Sequence, residues 1–282
     1  MLPEGLSEVS LVNLLGFGRH DPCARWIDGA FWFAARTPAG PGSIRLLPDV
    51  AAHGPGAEWL LERAPAFLGE LDDLTGFAPE HPVLKRLLPV TLPQTGLVFP
   101  RLLRAICEQK VTGKEAYRAY SAIVRHFREA APGPVDGLLL PPSPEMIVAT
   151  PYYDFHKLGM EQRRAEVLRR AAFEAPRLES CVDSPSLTKR LLTIPGIGPW
   201  TAAEVVRVVF GDADAVSVGD FHIKNTVSWA LAGEPRGTDE RMLELLEPFV
   251  GHRGRVCLML EAAGIGAPKY GPRAPIRDFR AF

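Results

Sequence analysis

The residues from Leu192 to Ala203, with the sequence LTIPGIGPWTAA, combine a tight turn with the start of a helix. Gly196 and Gly198 have no Cβ and can take a positive φ, so successive backbone N–H groups of the turn can converge on one anion. The helix that we predict over residues 201–209 adds the partial positive charge of its N-terminus at the same place. This turn therefore predicts a grip for a nucleic-acid phosphate.

A single carboxylate, Asp220, follows the turn after the apolar run from Ala215 to Val218. We predict that Asp220 begins a helix that continues to Leu231. There it is an ordinary N-cap, since an aspartate in the first turn accepts hydrogen bonds from N–H groups that otherwise have no partner. A carboxylate held in this way is also fixed and ionised, so it could stabilise a positive charge that develops on a sugar. The two roles are compatible.

The turn by itself has other interpretations. Residues 195–198 could form a plain corner between two helices, with the glycines serving as C-caps. Such a corner can also bind phosphates without reading the base sequence, in proteins that do no chemistry. Asp220 distinguishes a catalyst from a module that only binds DNA, because a carboxylate repels the phosphates and such a module has no need of one.

The elements that must position these residues differ along the chain. From Val9 to Leu47 the pattern is strand-like, and residues 31–37 and 43–47 flank a turn and predict a β-hairpin. Nearly every segment after residue 77 has helical periodicity instead. We therefore predict an α+β fold, in which a small β-containing domain at residues 1–76 precedes a predominantly α-helical domain at residues 77–282.

Three features of the second domain follow from its pattern. Helical periodicity runs from Leu97 to Phe127. The proline-rich residues 131–144 predict a surface loop between helices. The residues from Ala267 onward predict an extended tail.

The bulk properties exclude several classes of protein. The chain has 282 residues, 46 % of them apolar, and a formal net charge of −1. The near-neutral total argues against binding nucleic acid by charge alone, although basic residues gather between residues 99 and 128. The apolar runs are shorter than the about 20 residues of a membrane span, and residues 1–6 lack the features of a signal peptide. We expect a cytoplasmic protein, associated with the nucleoid if the source is prokaryotic.

The four cysteines are scattered along the chain, at Cys23, Cys107, Cys181 and Cys257. They form no C-x-x-C pair, so the sequence indicates neither a zinc site, nor an iron–sulfur cluster, nor a disulfide framework. We expect no metal and no cofactor.

The turn followed by Asp220 resembles the signature of the helix-hairpin-helix DNA glycosylase superfamily. Within it, the sequence is most similar to the 3-methyladenine DNA glycosylase 2 family. The resemblance covers roughly residues 77–263 and extends to the segments 96–113, 157–160 and 247–255. It implies a glycosylase domain that hydrolyses the N-glycosidic bond of a damaged base flipped out of double-stranded DNA.

The resemblance also implies roles for individual residues. Asp220 is the catalytic carboxylate. The positions expected to bind DNA are Ile194, Gly196, Ile197, Gly198 and Thr201, and those expected to contact the substrate base or the gap that it leaves are Trp200, Phe221, Gln109 and Lys110. The wedge that fills that gap is usually apolar, so Lys110 could bind a phosphate instead.

Trp200 stands where the bifunctional members of the superfamily have a lysine that attacks the sugar. We therefore expect a monofunctional enzyme that starts base excision repair of alkylated purines, acting as a monomer on damaged double-stranded DNA. Glycosylases for mismatched adenine or oxidised pyrimidines are rival interpretations, but those relatives commonly carry a four-cysteine cluster. A nucleotide-processing enzyme is a further alternative, for which the sequence offers no phosphate loop.

Overall fold

The computed structural model describes residues 8–268, and side chains from residue 12 onward. The part of the predicted tail beyond residue 268 lies outside the described residues. An antiparallel meander forms the N-terminal part, with the strand order β1 (Ala24–Ile27), β2 (Ala30–Thr37), β3 (Gly40–Leu47) and β4 (Ala51–His53). The predicted hairpin is the pair β2 and β3, which is confirmed. The helix α1 (Glu8–Leu15) precedes the sheet, where the sequence pattern indicated strands.

Alternate residues of β2 face opposite sides of the sheet, as the period of a strand requires. Phe31 and Phe33 lie in a core with Leu60 and Phe67, which come from the two short helices after the sheet. One face of the sheet is therefore covered by helices.

The other face of the sheet is covered by the proline-rich segment. Trp32 and Ala34 pack against Leu138 and Leu140, which are almost fully buried. The expectation of a surface loop is thus wrong for these residues, because the sheet offers them an apolar face to cover. This contact joins the sheet to the helical part of the chain.

Helices form the remainder of the described chain, in agreement with the predicted fold class. They are α2 (Ala57–Glu62), α3 (Ala64–Phe67), α4 (Val98–Glu108), α5 (Gly113–Phe127), α6 (Pro144–Ala149), α7 (Tyr152–Lys157), α8 (Gln162–Glu179), α9 (Ser184–Leu191), α10 (Pro199–Val209), α11 (Ile223–Ala232), α12 (Asp239–Leu246) and α13 (Arg253–Ala262), with 3-10 turns at Leu84–Arg86 and Glu247–Phe249. No helix in the described part of the chain is both long and apolar enough to span a membrane.

The helical pattern over residues 97–127 breaks into α4 and α5. The Thr112 hydroxyl accepts the Glu115 N–H, and the Glu115 carboxylate accepts the Thr112 N–H. This reciprocal capping box starts a new helix, and Lys110 in the connecting loop has a left-handed φ of 54°. The loop between α4 and α5 is therefore defined by a cap that periodicity alone did not reveal.

A buried ion pair holds α13 against the segment that follows α3. Arg255 is fully buried, and its Nη1 and Nη2 lie 2.6 and 2.7 Å from the two carboxylate oxygens of Asp72. Such a two-pronged contact fixes both position and orientation. It sets the place of α13, which forms part of the site described next.

Candidate active site

The predicted phosphate grip is a hairpin between α9 and α10. Gly196 has a φ of +97°, whereas Gly198 is extended with a φ of −114°. Of these two glycines, only Gly196 has a left-handed backbone conformation. Neither of their N–H groups donates to a backbone or side-chain acceptor among the described residues, and both stand beside the N-terminus of α10. The hairpin therefore offers backbone donors to an anion.

Three residues expected to bind DNA have buried side chains. Ile194 and Ile197 lie in the main helical core, and Thr201 is only 2 % exposed. The Ile194 N–H donates to the carbonyl oxygen of Leu191, and the Ile197 N–H donates to the carbonyl oxygen of Ile194. These side chains anchor the hairpin, so a DNA strand could reach these residues only through other backbone atoms.

Gln109 supports the hairpin rather than the pocket. Its amide Nε2 donates to the carbonyl oxygen of Gly196 at 3.1 Å and to the Thr201 hydroxyl at 2.9 Å. The loop after α4 is thus attached to both ends of the turn. The expectation that Gln109 contacts the base gains no support from this geometry.

Asp220 lies just before α11, which begins at Ile223 and not at Asp220 as predicted. Its Oδ1 accepts the N–H groups of His222 and Ile223 at 2.6 and 2.8 Å, while its Oδ2 accepts the indole N–H of Trp200 at 3.2 Å. The carboxylate therefore receives three donors and the positive end of a helix. This arrangement fixes the position of the carboxylate.

Asp220 and Trp200 line a cavity of about 360 Å³ between α4, α10, the loop before α11, and α13. This volume is within the range of small-molecule sites. The charged groups in its lining are three arginines and four carboxyl groups, namely Arg101, Arg104, Arg207, Glu108, Glu204, Asp220 and Glu261.

Glu204 is the centre of a network in the cavity wall. Arg101 Nη2 lies 2.6 Å from Oε2, and Oε1 accepts hydrogen bonds from Arg207 Nη1 at 2.9 Å and from the Ser217 hydroxyl at 2.6 Å. Burial opposes ionisation, but the two arginines and the hydroxyl lower the pKa of Glu204 to about 2. Glu204 is therefore an ionised part of the wall.

Phe221 and Lys110, the other two residues expected at the base or the gap that it leaves, lie outside the cavity lining. Neither Phe221 nor Lys110 is among the described residues that line the cavity. Phe221 is 77 % exposed beside Asp220, and Lys110 is exposed at the tip of its loop. Trp200 is thus the predicted substrate contact that the structure brings to the carboxylate.

Sequence reasoning did not identify Arg101, Arg207 and Glu261 as parts of the site. Their signal was a charged residue at a helix position with apolar neighbours, as with Arg207 between Val206 and Val208. Charged side chains are rarely fully buried unless they are paired, so a charged residue within an apolar helical segment indicates pairing or function.

Comparison with known proteins decides the family. Residues 103–250 match the family model described as "HhH-GPD superfamily base excision DNA repair protein". The chain belongs to this superfamily. The matched segment includes the hairpin, Asp220 and the loop after α4, so the resemblance expected from the sequence is confirmed.

Individual relatives are distant. The chain is 24 % identical over 165 residues to a Bacillus subtilis protein named "Putative DNA-3-methyladenine glycosylase YfjP". The alignment covers 55 % of this chain and 56 % of that protein, so the chain matches little more than half of the length of this curated relative.

Two solved structures share the fold over most of the chain. The 3-methyladenine DNA-glycosylase from Archaeoglobus fulgidus has a TM-score of 0.73 at 18 % identity, with 90 % of this chain and 94 % of that chain covered. The 8-oxoguanine glycosylase/lyase from Clostridium acetobutylicum, in complex with double-stranded DNA, has a TM-score of 0.65 at 14 % identity, with 93 % of each chain covered. These likenesses establish the fold.

Proposed function

We propose that the protein is a monofunctional DNA glycosylase that hydrolyses the N-glycosidic bond of alkylated purines of the 3-methyladenine type. One observation carries the proposal: a carboxylate fixed by helix N–H groups lines a cavity beside Trp200, 20 residues after Trp200 in the chain. Membership of a superfamily of base excision repair proteins supports the same conclusion. The names of the relatives agree with this substrate class.

The chemistry follows from the position of Asp220. The damaged nucleotide leaves the base stack and enters the cavity, with Trp200 as one wall. The bond between C1′ and N9 breaks, the base takes the electron pair, and positive charge develops on the sugar. The fixed negative charge of Asp220 stabilises that charge, and water then adds to C1′. A cationic 3-alkylpurine leaves as a neutral base and needs no proton.

A strand-cleaving mechanism requires an amine that attacks the sugar. Among the described residues that line the cavity there are arginines and carboxyl groups but no lysine, and Trp200 occupies the position of the lysine in bifunctional relatives. We therefore expect release of 3-methyladenine from methylated duplex DNA without strand cleavage. Borohydride added during the reaction should trap no protein–DNA adduct.

The outcomes of this release assay distinguish the candidates. A trapped adduct would contradict the monofunctional mechanism. Binding to DNA without release of any base, tested across 3-methyladenine, 7-methylguanine, hypoxanthine and etheno-adducts, would favour the alternative of a non-catalytic binding module.

The hairpin gives a second expected result, because its two glycines differ. A Cβ at Gly196 would lie 2.2 Å from Cγ2 of Val167, and the φ of +97° is unfavourable for any other residue. Gly196→Ala should lower the free energy of unfolding by about 2 kcal/mol. Chemical denaturation measures this change.

Gly198→Ala is the matched variant, because its Cβ meets no atom within 4 Å and its backbone is extended. It should unfold like the wild type, yet bind duplex DNA about tenfold more weakly, as expected if a methyl group costs one close phosphate contact. Wild-type DNA affinity in Gly198→Ala would argue against the hairpin as the grip.

A further inference from the structure

Glu261 is a carboxyl group of the cavity to which the proposed mechanism assigns no role. It lies on α13 and lines the same cavity as Asp220. Its carboxyl group makes no hydrogen bond or ion pair with any described residue, unlike Glu204 and Asp220. It is therefore free to exchange a proton with a bound molecule.

The surroundings of Glu261 favour its protonated form. The residue as a whole is exposed to solvent, whereas many protein atoms lie around its carboxyl group. Burial, opposed by Arg207 and reinforced by the negative charges of Glu204 and Asp220, raises the pKa of Glu261 to about 7. The carboxyl group thus changes its protonation near neutral pH.

The protonation of Glu261 sets the net charge of the cavity lining, because the other charges in the lining balance. Glu204 is neutralised by Arg101 of α4 and Arg207 of α10, and Arg104 Nε lies 3.4 Å from Oε1 of Glu108, both on α4. Besides Glu261, the lining contains three arginines and three other acidic residues, so these formal charges balance. Protonated Glu261 leaves the lining without net charge, which suits an uncharged base.

Arg101 contributes a positive charge to the wall near these carboxyl groups. Its side chain is 7 % exposed, and its Nη1 lies 3.8 Å from Oε2 of Glu108. Neither of these two buried atoms has a hydrogen-bond partner in the described structure, so they form a loose ion pair in the cavity wall.

We propose that Glu261 is the general acid for the release of uncharged purines, such as deaminated adenine, whose bases have no positive charge to help them leave. This inference rests on the proposed glycosylase function. The proton of the Glu261 carboxyl group passes to a ring nitrogen of the base as the C1′–N9 bond breaks and the base takes the electron pair. Water adds to C1′ and loses a proton to solvent, and solvent returns a proton to Glu261. A cationic alkylated purine leaves without this step.

The test compares two duplexes, one containing hypoxanthine and one containing 7-methylguanine, with wild type and Glu261→Gln. Glutamine keeps the shape of the side chain but has no acidic proton. We expect release of hypoxanthine to fall about 100-fold, the lower end of the range for general acid catalysis, and release of 7-methylguanine to change less than about threefold. Glu62→Gln, an exposed change of the same type on α2, should leave both rates unchanged.

A pH profile adds a readout that a merely structural role would not affect. Because the acid form is required, hypoxanthine release by the wild type should fall as pH rises through about 7. The residual release by Glu261→Gln should lack this decline.

Each remaining outcome contradicts a stated claim. Equal loss on both duplexes would assign Glu261 to shaping the cavity and overturn the proposal. Unchanged hypoxanthine release in the variant, or release of 7-methylguanine alone by the wild type, would also overturn it. Release of neither base by the wild type would instead contradict the proposed glycosylase function itself.

Discussion

Asp220→Asn should reduce release of 3-methyladenine by about 100-fold to 1000-fold, the effect expected when one preorganised electrostatic group is lost. The change removes the negative charge that faces the sugar. Asparagine is also a good helix cap, so Oδ1 should still accept the N–H groups of His222 and Ile223. The protein should therefore fold normally and bind duplex DNA at least as tightly, because one charge that repels phosphates has gone.

Three measurements check this expectation: base release under single-turnover conditions, DNA affinity, and the denaturation midpoint. Asp154→Asn is a suitable control, since this residue makes an ion pair with exposed Lys157 outside the cavity. Release at the wild-type rate by Asp220→Asn would rule out Asp220 as the catalytic carboxylate. Loss of folding in Asp220→Asn would be resolved by Asp220→Ser, which keeps a cap without the charge.

Glu204→Gln should produce the largest loss of stability among changes in the site, about 3 kcal/mol in the free energy of unfolding at neutral pH. Glutamine leaves Arg101 and Arg207 in the wall without their shared counterion. Both guanidinium groups are almost fully buried, so water replaces the lost interaction poorly. Urea denaturation of the two proteins at neutral pH measures the difference.

This difference should depend on pH with a definite sign. The pKa of Glu204 is lower in the folded protein, about 2, than its ordinary value of 4.5. Its contribution to stability is therefore fully present above about pH 4.5 and decreases as pH falls toward 2. The difference in the free energy of unfolding between wild type and Glu204→Gln should therefore decrease as pH falls over that interval.

Glu166→Gln is the matched control for this experiment, because Glu166 and Arg170 form an exposed pair on α8. Such surface pairs contribute about 0.5 kcal/mol or less. If Glu204→Gln were as stable as wild type, the ion pairs of Glu204 with Arg101 and Arg207 would not contribute to the stability of the fold.

Local patterns were sufficient for several features of the fold. Residues 31–37 and 43–47 predicted a β-hairpin, and the structure confirms it and adds apolar partners on each face of the sheet. The hairpin was predicted from two glycines because the turn it needs is a local property of the backbone. The superfamily followed from the same residues and is confirmed.

Local patterns were insufficient where a contact joins distant parts of the chain. The hydrogen bonds from Gln109 to Gly196 and Thr201 could not be predicted, because the loop after α4 meets the hairpin only in the folded protein. Residues 131–144 were expected at the surface, but Leu138 and Leu140 cover the sheet. No spacing along the sequence encodes either contact.

The sequence by itself determined the hairpin, the carboxylate that follows it and the family, because each depends on residues that are neighbours along the chain. The tertiary structure alone decided the composition of the cavity. It brings Arg101 of α4 to Glu204 of α10 and places Glu261 of α13 beside the Asp220 site. The physical reason is that burial and charge pairing set the protonation and strength of these groups, and both are defined only when the helices pack together.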